Sequence, residues 1–263
     1  MEHGNEDIPE CPPMLIHQAE ALNAREGHLT DCEKCKGKGY IYQAEYYDRQ
    51  GYWSLVQKKC TCYQTYKNKQ LIRESGLEQE IETASFDNYK ISKEWQAEAL
   101  TKAKGYNSGW FYIGGQVGSG KTMLCTCIVK KFLEAGISTI YMPWVSDSRR
   151  LKSVINDYEY DDRMARYQDC EVLYIDDLFK NRNAGNVADT YSVTESDVRI
   201  AFDILDGRYK SKKKTIISSE FSLRELDAID SGLSSRIYEM TKKAGNYITI
   251  DRRNQNNYRL RKE

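Results

Sequence analysis

The chain has 263 residues, in which 39 lysines and arginines balance 39 aspartates and glutamates; 40% of residues are hydrophobic and 30% charged. That mixture belongs to a folded globular chain and excludes intrinsic disorder, and no apolar run approaches the roughly 18 residues that span a bilayer. The opening Met1–Leu15 has no basic stretch followed by an apolar core, so no secretory signal is expected, and neither a secreted disulfide scaffold, a coiled coil nor a membrane partner is expected. Eight cysteines in such a chain predict a reducing, cytoplasmic setting, where clustered cysteines mean metal or catalysis more often than disulfides.

In chain order, Pro9, Pro12 and Pro13 predict an irregular start, followed by a short helix around Ala19 to Glu26. Cys32 to Gly39 reads as a tight turn leading into a hairpin, Tyr40-Ile-Tyr and Gly51 to Val56, that returns to Cys60. A helix over Tyr63 to Ser75 stops at Gly76, and Glu78 to Tyr89 reads as a connector. Helices and strands then alternate. The expected order is helix Trp95 to Lys104, strand Trp110 to Gly114, a glycine-rich loop, helix Lys121 to Ala135, strand Ser138 to Met142 and helix Asp147 to Tyr158. Strand Val172 to Ile175, a long loop, helix Glu195 to Tyr209 and strand Thr215 to Ser218 follow. Such alternation predicts an α/β fold with a parallel sheet covered on both faces. The expected division is residues 1–78, a connector over 79–92, and a core over 93–263.

The core carries the chemistry. Gly115-Gln116-Val117-Gly118-Ser119-Gly120-Lys121-Thr122 fits G-x-x-x-x-G-K-[ST], a match that average composition yields in about 1% of chains this long. Phosphate binding needs backbone N–H groups converging on an anion, a curl that glycines permit, and the following helix adds the positive end of its dipole. In such a loop Lys121 reaches the β- and γ-phosphates of ATP, and Thr122 offers a hydroxyl to magnesium. The apolar run Val172–Ile175 ends in Asp176-Asp177. Asp176 can there hold magnesium, directly or through water, while Asp177 can orient an attacking water. Ser219-Glu220, after the apolar Lys214–Ser218, is either a γ-phosphate sensor or an ordinary strand exit. Arg236, in Leu233-Ser-Ser-Arg-Ile, is either a finger entering a neighbouring subunit's site or a surface salt-bridge arginine.

Cys32 and Cys35, spaced C-x-x-C, and Cys60 and Cys62, spaced C-x-C, offer the four thiolates that a tetrahedral structural zinc site prefers. A redox pair or unbound thiols are the alternatives, with His28 and Cys11 as substitute ligands. Charge is uneven: residues 208–263 carry 14 basic and 7 acidic side chains, net +7, against −3 over 1–80 and −4 over 81–207. The basic end is either a footprint for a polyanion or a solvated surface.

Together these residues resemble the DnaC/DnaI-type replicative-helicase loaders, relatives of the IstB transposition ATPases in the AAA+ class, in the versions carried by phages and mobile elements. The resemblance covers residues 30–263 and rests on the cysteine pairs, Ser85-Phe-Asp-Asn-Tyr89, the Gly115–Thr122 loop, Ile175-Asp-Asp-Leu178 and Arg208-Tyr209. Thr215-Ile-Ile-Ser-Ser-Glu220, Ser235-Arg236-Ile237 and Asn257-Tyr-Arg-Leu260 complete it. It implies an AAA+ P-loop sheet flanked by helices, with a zinc-bearing N-terminal domain that contacts a DnaB-type hexameric helicase. It also implies a core that self-associates into a ring or spiral and touches single-stranded DNA. By this likeness Thr122 and Asp176 take magnesium, Asp177 is the catalytic acidic position, Ser219 with Glu220 is the sensor, and Arg236 acts in trans. Many AAA+ proteins have glutamate where Asp177 stands and asparagine at the sensor, so slow, switch-like hydrolysis is expected. Only 27 residues follow Arg236, which predicts a truncated or absent helical lid, with Arg252, Arg253, Arg259 and Arg261 left to compensate or to meet DNA phosphates. The expected function is ATP-dependent loading of the helicase onto single-stranded DNA. An IstB-like transposition ATPase and a non-hydrolysing ATP-binding adaptor are the alternatives.

Overall fold

Proline at the first helical position gives up no hydrogen bond, since that N–H is unpaired in any helix. In the computed structural model, which describes residues 8–75, 77–180 and 193–258, α1 (Pro13–Asn23) accordingly starts at Pro13. It begins well before the expected Ala19. Its C-terminal end is sealed by the buried Lys38, whose Nζ donates to the carbonyls of Asn23 (2.8 Å) and Arg25 (2.6 Å). The side chain of Asn23 clamps Tyr42, accepting from its N–H (2.8 Å) and donating to its carbonyl (2.7 Å). β1 (Tyr40–Tyr47) and β2 (Tyr52–Lys59) form the expected antiparallel hairpin, with Tyr47 opposite Tyr52 and their rings stacked at 5.6 Å. Residues up to Lys67 make one compact unit and residues from Asn68 a second, the division falling within α2 (Thr61–Ser75).

The second unit is built on a parallel sheet in the order β4-β5-β6-β3-β7. Its strands are β3 (Trp110–Gly115), β4 (Thr139–Pro143), β5 (Val172–Leu178), β6 (Lys214–Ser219) and β7 (Tyr247–Ile250). Successive side chains of a strand point to opposite faces, and β3 feeds two cores at once. Trp110 and Tyr112 join Ile175, Ile217 and Ile204 on one face, while Phe111 and Ile113 join Tyr174, Ile216 and Ile128 on the other. The second core is closed by α4 (Glu94–Gly105) and α5 (Lys121–Glu134), and the first by α6 (Trp144–Lys152), α7 (Glu159–Asp169) and α8 (Glu195–Lys210).

Several elements differ from the sequence expectation. α3 (Glu78–Thr83) and a 3-10 turn at Phe86–Asn88 occupy the stretch read as a connector. The helix expected over Asp147–Tyr158 is α6, which starts at Trp144 and stops at Lys152; α7 had no counterpart. After β6 the chain adds α9 (Leu223–Ile229), α10 (Ser231–Lys242) and β7, none of which were expected. Most of the expected long loop, residues 181–192, lies outside the described residues.

Arg208, from the Arg208-Tyr209 motif, is fully buried, and among the described residues it forms no ion pair with a carboxylate. Its guanidinium instead donates to the carbonyls of Tyr167 (2.8 Å), Cys170 (2.9 Å) and Lys214, and to Thr215 Oγ1 (2.9 Å). It therefore supplies partners for carbonyls that the end of α7 leaves open. Arg208→Ala should lower unfolding stability by about 3 kcal/mol, because several buried carbonyls lose their donor together. Urea denaturation followed by circular dichroism checks this, and Arg208→Lys, lacking the planar fork, should recover only part of the loss.

Candidate nucleotide site and metal centre

The parallel register sets the site. Gly114 pairs with Ser219 of β6 and Gly115 with Ile250 of β7, so the phosphate loop leaves β3 between the carboxyl ends of two other strands. Gly115, Gly118 and Gly120 take φ values of 109°, 68° and 89°. A Cβ on Gly115 would stand 2.0 Å from the Ile250 carbonyl oxygen, so glycine is required there by space as well as by conformation. Ser119 Oγ donates to the Gln116 carbonyl (2.7 Å), and the Gln116 N–H donates to the carbonyl of Ile250 (3.1 Å). Lys121, the first residue of α5, folds back so that Nζ donates to the carbonyls of Gly115 (2.8 Å) and Gln116 (2.7 Å). Burial pulls its pKa down to about 8, against the opposing pull of the Asp177 and Glu220 carboxylates.

Asp176 is the hub of the site. Its Oδ1 accepts from Thr122 Oγ1 (3.2 Å), Tyr174 Oη (2.6 Å) and Ser218 Oγ (2.5 Å), and its Oδ2 from Tyr141 Oη (3.0 Å). Asp177 sits in left-handed backbone (φ 57°) where the β5–β6 pairing slips between Ile175 and Leu178. Its N–H, out of the ladder, donates to Ser218 Oγ (2.9 Å). Lys180 then bridges two acids, lying 2.8 Å from Asp177 Oδ2 and 2.8 Å from Glu220 Oε1.

Val117 to Thr122 of the loop, Asp177, Lys180 and Glu220 line a cavity of about 390 Å³ whose remaining wall includes Tyr89, Gln96 and Tyr258, while Gly115 and Gln116 lie outside that lining. Of the expected residues, the loop, Thr122, Asp176, Asp177 and Glu220 are thus brought together. Ser219 is not among the lining residues: its hydroxyl donates to the Leu178 carbonyl (2.8 Å) and accepts from the Phe221 N–H (3.1 Å). Ser218, one residue earlier, touches both aspartates. Arg236 is likewise elsewhere, on α10, paired with Asp206 of α8 (2.9 Å) and lying 4.6 Å from the centre of the Phe202 ring. Arg252 donates to the Glu220 carbonyl (2.9 Å) and pairs with Glu225 (3.0 Å), while Arg259 and Arg261 lie outside the described residues. Tyr141, Tyr174 and Lys180 have no motif of their own; Tyr174 and Lys180 adjoin the acidic pair in the sequence, whereas Tyr141, on β4, carries no such signal.

In the first unit, the sulfurs of Cys32, Cys35, Cys60 and Cys62 lie within 4.8 Å of one another, with Cys35–Cys62 at 3.3 Å and Cys32–Cys60 at 3.9 Å. Four donors around a metal at about 2.3 Å would stand about 3.8 Å apart, so the set fits a tetrahedral ion. Lys36, Gly37 and Gly39 turn with positive φ, and the Gly39 N–H donates to Cys35 Sγ (3.2 Å). Burial raises the Cys35 thiol, but that N–H and the neighbouring thiols outweigh it and bring its pKa to about 6. His28 and Cys11 are not part of the cluster.

No family model matches the chain. The uncharacterized protein YqaM of Bacillus subtilis is 31% identical over 230 residues, 81% of this chain and 70% of YqaM. The chain belongs to the YqaM family. The phage-like element PBSX protein XkdC of the same bacterium is 29% identical over 235 residues, 84% of this chain and 82% of XkdC. Among solved structures, a DNA replication initiation factor superposes with a TM-score of 0.51 at 17% identity, over 68% of this chain and 53% of that one. This chain therefore spans about half the length of that protein, and the likeness is one of fold. The DnaC helicase loader superposes with a TM-score of 0.48 at 22% identity, over 66% of this chain and 98% of that one. The resemblance drawn from the motifs is borne out in these terms: a helix-flanked parallel sheet shared with a replication initiation factor, a phage-element relative and a four-cysteine cluster at the N-terminal side. Among the described residues, no helix is long and apolar enough to cross a membrane.

A triphosphate held in the loop would raise the pKa of Lys121, since the ammonium would gain an anionic partner. Above pH 8 binding should therefore take up protons, and ATP affinity should fall as the pH climbs from 7 to 9. Calorimetry in buffers of different ionisation enthalpy reads the uptake, and Lys121→Arg, which stays charged, should flatten the pH dependence. Lys121→Ala should weaken ATP binding at pH 7 by at least about tenfold.

Proposed function

We propose that this chain is an ATP-dependent loader of a DnaB-type hexameric helicase onto single-stranded DNA, acting in the bacterial cytoplasm at the start of replication. The observation that carries the reading is the Lys121–Thr122 loop facing Asp176 and Asp177 in an AAA+ sheet, in a chain that also presents four converging cysteines. Residues 1–78 would be the partner-binding part and 93–263 the ATPase. Thr122 and Asp176 are suited to hold magnesium, which neutralises charge on the β- and γ-phosphates when bound. Lys121 would release the loop carbonyls and turn its ammonium to the phosphates. Asp177 would accept the proton of the attacking water once freed from Lys180, and Glu220 would compete for the same lysine. Because Lys180 holds both acids, turnover is slow without a trigger, which suits a switch better than a motor. Arg236 would act in trans in a ring or spiral of subunits, after leaving Asp206, and the basic C-terminal region would track DNA phosphates.

The pairing of Asp177 with Lys180 also favours a second reading, an adaptor that binds ATP without hydrolysing it. ATP turnover with and without single-stranded DNA separates the two: stimulated hydrolysis supports the loader, none supports the adaptor. Capture of the host's replicative helicase by this chain, greater with ATP than without, tests loading itself; no capture under either condition would overturn it.

Two variants test the parts. Cys35→Ser should lower bound zinc by about one ion per chain in elemental analysis and weaken helicase capture. Arg236→Ala should keep ATP affinity while lowering the DNA-stimulated turnover by about tenfold or more, the scale of a lost arginine finger. Unchanged turnover per subunit would leave Arg236 as a structural partner of Asp206.

A further inference from the structure

The chain beyond β7 forms a strap around the phosphate loop. From Ile250, whose carbonyl accepts the Gln116 N–H, it passes Glu220, to whose carbonyl Arg252 donates. Lys93 then anchors it, with Nζ donating to Asn256 Oδ1 (2.6 Å) and to the Gln255 carbonyl (3.0 Å). It ends against the loop itself, where the Tyr258 N–H donates to the Gly118 carbonyl (2.9 Å). The Tyr258 hydroxyl lies 3.2 Å from Ser92 Oγ, which in turn donates to Oε1 of the buried Gln96 (3.0 Å). Ring and backbone of Tyr258 are thus both held, and the residue lines the cavity above the loop.

A triphosphate takes up the Gly118–Thr122 side of that cavity, beside Asp177 and Lys180. The wall left for the nucleoside includes two aromatic rings, Tyr89 and Tyr258. The Tyr89 ring packs on the loop, 3.3 Å from where a Cβ on Gly120 would stand, and belongs to the segment before the core. Tyr258 comes from the opposite end of the chain. We propose that Tyr258, positioned by the strap, covers the nucleoside of the bound nucleotide and sets the preference for a nucleotide over a bare polyphosphate. This rests on the nucleotide-site reading and adds a specificity-determining residue to it. The interaction is π-stacking or edge contact with a purine, which every base face accepts and a phosphate chain cannot offer.

The test is calorimetry of the full chain with magnesium, titrating ATP and, separately, inorganic tripolyphosphate. Tyr258→Ala should weaken ATP by about tenfold while leaving tripolyphosphate within about twofold of wild type. Tyr258→Phe keeps the ring and should stay within about threefold for both ligands. If Tyr258→Ala binds ATP like wild type, or loses ATP and tripolyphosphate in equal measure, the proposal is overturned while the nucleotide site stands. If wild type binds neither ligand, the site reading fails and this assignment falls with it.

Discussion

A buried carboxylate that collects four hydroxyl donors is what the rest of the site depends on. Asp176 sits almost out of solvent, 8% exposed, and burying such a group is tolerable only when its lone pairs are filled. The donors come from four different elements: Thr122 from α5, Tyr141 from β4, Tyr174 from β5 and Ser218 from β6. Each must arrive at the same height along the sheet, and parallel pairing with Pro143 opposite Asp176 and Ile217 opposite Ile175 delivers that. Shifting any one strand by a residue would turn its hydroxyl to the other face. The phosphate loop is located by the same register, because Thr122 is tied to both.

Much of this was legible in the sequence where the chemistry forces the residue type. The glycines of the loop must take positive φ, so their pattern is visible in any chain that has one. The cysteine pairs were legible too, since two close pairs of thiols are a pattern that lets four sulfurs converge on one point. What the sequence hid was decided by pleat and packing. Ser218 and Ser219 are identical neighbours, but alternation sends one hydroxyl to Asp176 and the other to the Leu178 carbonyl, and the residue letters carry no sign of which is which. Tyr141 and Tyr174 look like ordinary apolar strand residues. Arg208, quoted in a motif set that invites a functional reading, proves to bind backbone carbonyls. α7 was missed because its buried residues are two tyrosines and a methionine among many charges.

Lys180 gives the site its electrostatic character. It lies just past the slip in the β5–β6 register, and it is the slip that swings Asp177 out of the ladder toward it. With Asp177 and Glu220 both on one ammonium, the repulsion between the two acids is offset. Burial of the ammonium is outweighed by its two acidic partners, so its pKa is raised and it stays charged at neutral pH. Asp177 at the end of β5 and Glu220 just past β6 are therefore linked through one lysine side chain.

The folded-back lysine makes the loop's own carbonyls competitors for any anion that would take its charge. An incoming anion must displace Nζ of Lys121 from two carbonyls before it gains that charge. A lone orthophosphate offers little more than the two bonds it breaks, whereas a longer chain also meets the loop amides and the Thr122 hydroxyl. On the reading proposed above, the curl would favour ligands with more than one phosphate, since only they replace the two bonds that Lys121 gives up.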